Sequence, residues 1–241
     1  MLFRLLIGLS LACVTIDTLH VCDQGVTSHV VGSVFIFICK NVRRGGRLED
    51  RVEQLGVECD QWYARRGQPK HLRGKLTVPR LRNSQSGYAK LKAKGASTRA
   101  LIHFALHIAQ QEISDPRVIA LCQLLCEFYD ICSSNGMYLP QHALDSFKFI
   151  GKHFARIYSE LSRAYFRVEN IWKMQANLHL YVHLLQWQTQ ETKLNPKTFW
   201  TYGDEDLVGQ LIYISEACHV ATLATAAMSK WLLVTLGVLD E

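Results

Sequence analysis

Four groups of residues in this 241-residue chain have types and spacing suited to chemistry. The first is Asp17-Thr-Leu-His20, with Asp23 and Gly25 close behind. An Asp at the end of an apolar run, before a helix, can hold a metal rigidly, and a His one turn on can orient it or share the ion. The same residues also fit a plain helix cap. The second is Asp204-Glu205-Asp206, after the aromatic run Phe199-Trp200-Thr-Tyr202-Gly203. Three acids at a helix start also suit the helix dipole, worth ~0.3–1 kcal/mol each. Gly209, one turn beyond Glu205, would let a backbone or nucleic acid approach closely.

The third group is histidine at helical i, i+4 spacing, His179 with His183 and His103 with His107. Such pairs share a face and can share a metal. No Glu stands between them in the HExxH arrangement, so that protease motif is excluded. The fourth is cationic: Arg65, Arg66, Lys70, Arg73, Lys75, Arg80, Arg82, Lys90, Lys92, Lys94 and Arg99 follow one another with no acid among them. The net charge is +6, so the rest of the chain is net negative and basicity is local. Each phosphate that such a segment neutralises releases counterions. There is no P-loop, dinucleotide fingerprint, nucleophile elbow or kinase signature, which argues against an ATPase, dehydrogenase or serine hydrolase.

The elements that must carry these groups read as mostly α-helical. Helical spacing joins Val26, Val30, Val34, Phe37 and Ile38 in 20–42, although β-branched content leaves a strand open at 35–39. A helix follows over 47–65. The basic stretch 67–95 is irregular, with Pro69, Pro79, Gly74 and Gly87, and a short strand open at 75–78. Ser97 is placed to cap a helix to 111, and Asp115-Pro116 opens another to 133. Pro140 starts a helix to about 172, with Leu144, Phe147, Ile150, Phe154, Ile157, Leu161, Tyr165 and Val168 in register. Further helices read over 176–192, 205–219 and 221–236. The expectation is a mainly α, bundle-like protein with at most two or three short strands near the N-terminus. Its divisions are 1–66, a basic segment 67–96 and a helical domain 97–241.

Hydrophobic residues make up 49% of the chain, which excludes disorder throughout. No window reaches the ~18 apolar residues of a membrane span, so no membrane partner is expected. Eight scattered cysteines without a CxxC read as reduced, buried thiols in an intracellular protein. Met1–Thr15 reads either as a short secretory signal, which would make the protein secreted, or as an N-terminal segment whose residues 11–17 form a buried strand.

Two blocks together resemble a known family. Ile16-Asp17-Thr-Leu-His20, followed by Gly25-Val26, resembles the D-x-M-H block of CACTA-like and Kyakuja–Dileera–Zisupton-like cut-and-paste DNA transposases. Asn177-Leu-His179, His183-Leu, and then Phe199 through Glu205 to Gly209, are similar to their second block, with Val208 where the family has Asn. The resemblance implies a remnant of an RNase H-like core with a helical insertion. It also implies DNA as a partner, a nuclear location, and carboxylates for two Mg2+ or Mn2+ ions. Asp17 and Glu205 would bind metal, with His20 beside Asp17. The family's first catalytic Asp lies upstream of this block and has no counterpart here. The expectation is therefore a transposon-derived, nucleic-acid-binding protein without strand-transfer activity. A helical interaction module, with Trp172, Trp187 and Trp231 as core or partner surface, is the alternative. A third reading is a metal enzyme built on His179, His183 and the acids at 204–206.

Overall fold

The computed structural model describes residues 15–82, 87–202, 212, 214–215, 218 and 222–235. The protein is mainly α-helical, and no strand occurs among the described residues; two isolated bridges, Arg82 with Ala89 and Tyr138 with Leu194, are the only extended pairings. Contacts divide the chain into one compact unit to Phe199 and a second from Trp200 onward.

The first unit is organised around α1, Leu19–Val42, about 36 Å long at 1.5 Å per residue. It is wound as π-helix over Leu19–Thr27 and Ile38–Val42 and as α-helix between. Leu19, Cys22, Val26, Val30, Val31, Val34, Ile36, Ile38 and Cys39 all have no exposed surface. A helix apolar all round is one that must be covered all round. This helix is long and apolar enough, by length and composition, to cross a membrane, and 89% of the qualifying window is buried inside the protein. The helix matches the run read over 20–42, and it is more apolar than the search for a membrane-span window in the sequence had indicated. Residues 35–39, where the β-branched content left a strand open, are helical.

Four helices close a ring with α1. These are α4, Gly95–Glu112; α5, Pro116–Ser134; α6, Gln141–Tyr165; and α7, Ala176–His183, which runs on through Leu184–Gln188 to Thr189–Thr192. α1 packs against α4 and α7, and α5 and α6 complete the circuit. Aromatic rings join them: Phe147 meets Phe128, Phe128 meets Tyr181, Tyr181 meets Phe154, and Tyr158 meets Trp172, at centroid separations of 5.1–6.2 Å. α2, Leu48–Ala64, and the single turn α3, Val78–Leu81, cover the far part of α1.

A local signal accounts for the start of α5. Asp115 accepts the Arg117 N–H at 3.0 Å, and Pro116 takes the first-turn position. α4 starts at Gly95, so Ser97 lies inside its first turn and does not cap it. α6 ends at Tyr165, short of the expected 172. Trp172 adopts φ 55°, fully buried against Tyr158, with its N–H on Ser33 Oγ at 3.0 Å. Val168, placed in the core register by spacing, is 74% exposed. The segment 75–78 is loop and helical turn.

The divisions expected at 66/67 and 96/97 fall inside the first unit. The basic segment lends it Leu72, Leu76, Leu81, Ala89 and Leu91, all buried. Six cysteines are buried free thiols, and Cys218 is half-buried and free; Cys13, with the rest of residues 1–14, lies outside the described residues. In the second unit, α8 runs Leu223–Thr235.

Candidate nucleic-acid interface

The basic segment leaves α2 through a turn with Gly67 at φ 66°, a backbone shape that favours glycine. It returns as an extended strap, and the seat of that strap is Gly32 of α1. A Cβ on Gly32 would lie 2.7 Å from the Leu91 nitrogen and 2.8 Å from the Lys90 Cα. Absence of that carbon lets the strap lie directly on the helix. There the Leu91 N–H donates to the Ser28 carbonyl at 2.8 Å, and the Ala89 N–H to the Asn170 carbonyl at 2.9 Å.

Extended backbone alternates its side chains. Ala89 and Leu91 therefore point inward, while Lys90, Lys92 and Lys94 are exposed, two residues or ~6.6 Å apart. None of the three has an acidic partner among the described residues. The result is a fixed row of three cations on a rigid backbone.

Arg65 and Arg66 form a second group at the end of α2, both exposed. The Arg66 guanidinium carbon stands 3.7 Å from the centre of the Trp62 ring, and His107 of α4 lies 5.5 Å from the same ring. Partial burial, then the charges of Arg66 and Arg65, pull His107 below its ordinary pKa.

The other cations are placed differently. Arg73 is exposed. Lys70 and Lys75 are exposed but paired, with Asp60 and Glu53, each at 2.6 Å. Arg80 is half-buried, and its Nη1 is enclosed with no hydrogen-bond partner. Arg82 points inward to Glu169, so its charge is spent inside the protein. Arg99 is half-buried in the second turn of α4, close enough to lower the Cys132 thiol, which burial pushes up overall.

The acid–His block sits at the start of α1. Asp17 Oδ1 accepts the Leu19 N–H at 2.9 Å, and Asp17 Oδ2 meets His20 Nδ1. Asp17 thus does the work of a helix cap and orients His20 at once. The two family-like blocks adjoin: Asn177 Nδ2 donates to the His20 carbonyl at 3.3 Å, and a Cβ on Gly25 would strike the Asn177 side chain. His179 and His183 pack ring to ring at 4.3 Å, both exposed. The His103 ring lies 3.8 Å from Asp130. No cluster of three or more His, Cys, Asp or Glu side chains that could hold a metal occurs among the described residues. Glu205, with Asp204, Asp206 and Gly209, lies outside them.

Two features escaped the sequence reading. One is the burial of Asp23, named there beside Asp17, whose enclosed carboxylate takes the Tyr129 O–H at 2.6 Å. The other is the alternation in Ala89-Lys90-Leu91-Lys92, which was visible locally as a two-residue period. No protein-family model matches this chain, and no curated protein or solved structure matches it either.

Proposed function

We propose that this chain is a nucleic-acid-binding protein of transposase descent, with the basic segment from Arg65 to Arg99 as its contact surface. The observation that carries the reading is the row Lys90, Lys92, Lys94. These exposed cations have no acidic partner among the described residues and stand on a strap seated in the notch at Gly32. Pre-set spacing lowers the ordering cost of binding a regular polyanion. Arg65, Arg66 and Arg73 add exposed charge, and Trp62 beside Arg66 adds a ring face. Descent rests on the two blocks, whose members His20 and Asn177 share a hydrogen bond. The function proposed is binding.

The test is the salt dependence of duplex DNA binding, read by fluorescence anisotropy. The wild-type chain should lose affinity steeply between about 50 and 200 mM salt. Lys90→Gln/Lys92→Gln/Lys94→Gln should flatten the slope of log K against log salt by ~2–3. Binding that ignores salt, or a variant with unchanged slope, would overturn the reading.

A further inference from the structure

The outer face of α6 carries a second arrangement of rings and charges. The inner face of this helix is complete without it: Leu144, Phe147, Ile150, Phe154, Tyr158 and Leu161 are each 1% exposed or less. Outside stand Lys148, Lys152 and Arg156, four residues apart and all exposed. Positions four apart line one face, so a cation recurs every ~6 Å along the axis. From Phe147 to Ser159 there is no acid. Of the three cations, only Arg156 has an acid within 4 Å among the described residues, Glu160, at a loose 3.9 Å.

Phe149 lies beside this stripe and is 54% exposed. Its ring centre is 4.0 Å from that of His153, with the planes 34° apart. The core gains little from a phenylalanine in this place. What the pair presents is the exposed ring of Phe149, held in place by His153 behind it and bordered by positive charge.

Base faces stack on aromatic rings, and the phosphates beside them need cations. A duplex keeps its base faces in its own stack and can use only the cations. A single strand can use both. We propose that the outer face of α6 is a second contact surface, selective for single-stranded nucleic acid. A base stacks on the Phe149–His153 pair while neighbouring phosphates lie on Lys148, Lys152 and Arg156. This surface is independent of the basic segment.

The experiment uses the full chain carrying Lys90→Gln/Lys92→Gln/Lys94→Gln, which quiets the strap. The probes are labelled oligothymidylate of about 20 nucleotides and a duplex of equal length, read by anisotropy at one fixed salt. In this background Phe149→Ala should weaken oligothymidylate binding about tenfold and leave duplex binding unchanged. Phe149→Tyr should restore it. Lys148→Gln/Lys152→Gln/Arg156→Gln should weaken binding and flatten its salt dependence. Phe149 lies at the surface, so melting temperature reports that the variants fold. No oligothymidylate binding in this background, an equal loss for both probes, or no loss with Phe149→Ala would each overturn the proposal.

Discussion

Arg82 and Glu169 meet inside the protein, Nη2 to Oε1 at 2.7 Å, with side chains 6% and 5% exposed. Lys40 reaches the other carboxylate oxygen at 2.5 Å. One carboxylate thereby ties together the end of α1, the basic segment and the loop after α6. Burial pushes the Glu169 carboxyl up. Hydrogen bonds from Lys40 and Arg82, with their charges, more than cancel this and hold it below the usual carboxylate range.

Glu169→Gln removes the carboxylate charge that faces the buried Arg82 guanidinium. Breaking a buried pair in this way costs about 3–5 kcal/mol. Lys40→Gln removes a cation that is 45% exposed and should cost under about 1 kcal/mol. Urea unfolding midpoints of the two variants compare them directly, and equal shifts would refute the assignment. The depressed carboxyl also fixes a sign. Its contribution is present above the unfolded value of about 4.3 and is lost as pH falls through the lower folded value.

Much of this architecture is readable locally, and the exceptions share a cause. The spacing of Val26, Val30 and Val34 marks α1, and Asp115-Pro116 marks the start of α5. The end of α6 is not readable, because Trp172 leaves helical geometry to fill a pocket formed by Ser33 and Tyr158. Periodicity cannot see a pocket built by residues far away in sequence. Charge counting along 65–99 registers eleven cations. It cannot register that Arg82 has a partner 87 positions on, or that Lys70 and Lys75 are engaged on α2. The strap's seat needs Gly32, which alone looks like an unfavourable residue in a helix. The adjoining of Asp17–His20 with Asn177 joins segments 157 positions apart, and only the family-like spacing of the two blocks hinted at it.

Lys70–Asp60 and Lys75–Glu53 fasten the basic segment to α2. They stand at the rim of a cavity of about 220 Å³, whose apolar lining includes Phe35, Leu72, Leu76 and Leu101. Exposed pairs of this kind are worth under ~1 kcal/mol, so phosphates can compete for both lysines. Glu53→Gln/Asp60→Asn should therefore raise polyanion affinity several-fold and steepen the salt slope by up to ~2. Stability should move by less than about 1 kcal/mol per pair. Anisotropy titration at several salt concentrations reads this out, and weaker binding by the variant would sink the competition.

His29 connects the buried helix to the cationic row. Its ring is 7% exposed, and Nδ1 lies 3.1 Å from the carbonyl of Ala89, next to Lys90. Burial first, and then the Lys90 charge, lowers its pKa to about 4, against the upward pull of the Ala89 hydrogen bond. Between that value and the unfolded one of about 6.5, the unfolded chain binds more protons. Stability therefore falls as pH drops through this window, by about 2 kcal/mol at pH 5 and about 3 kcal/mol at its lower end. Melting temperature should fall between pH 7 and 5, and His29→Gln should remove most of that fall. A phosphate on Lys90 would screen the charge that disfavours the imidazolium. The His29 pKa, followed by NMR, should thus rise when duplex DNA binds, and Lys90→Gln should raise it in the free protein. A His29 titration that DNA leaves unmoved, in a protein that still binds DNA, would mean that the phosphates contact other cations.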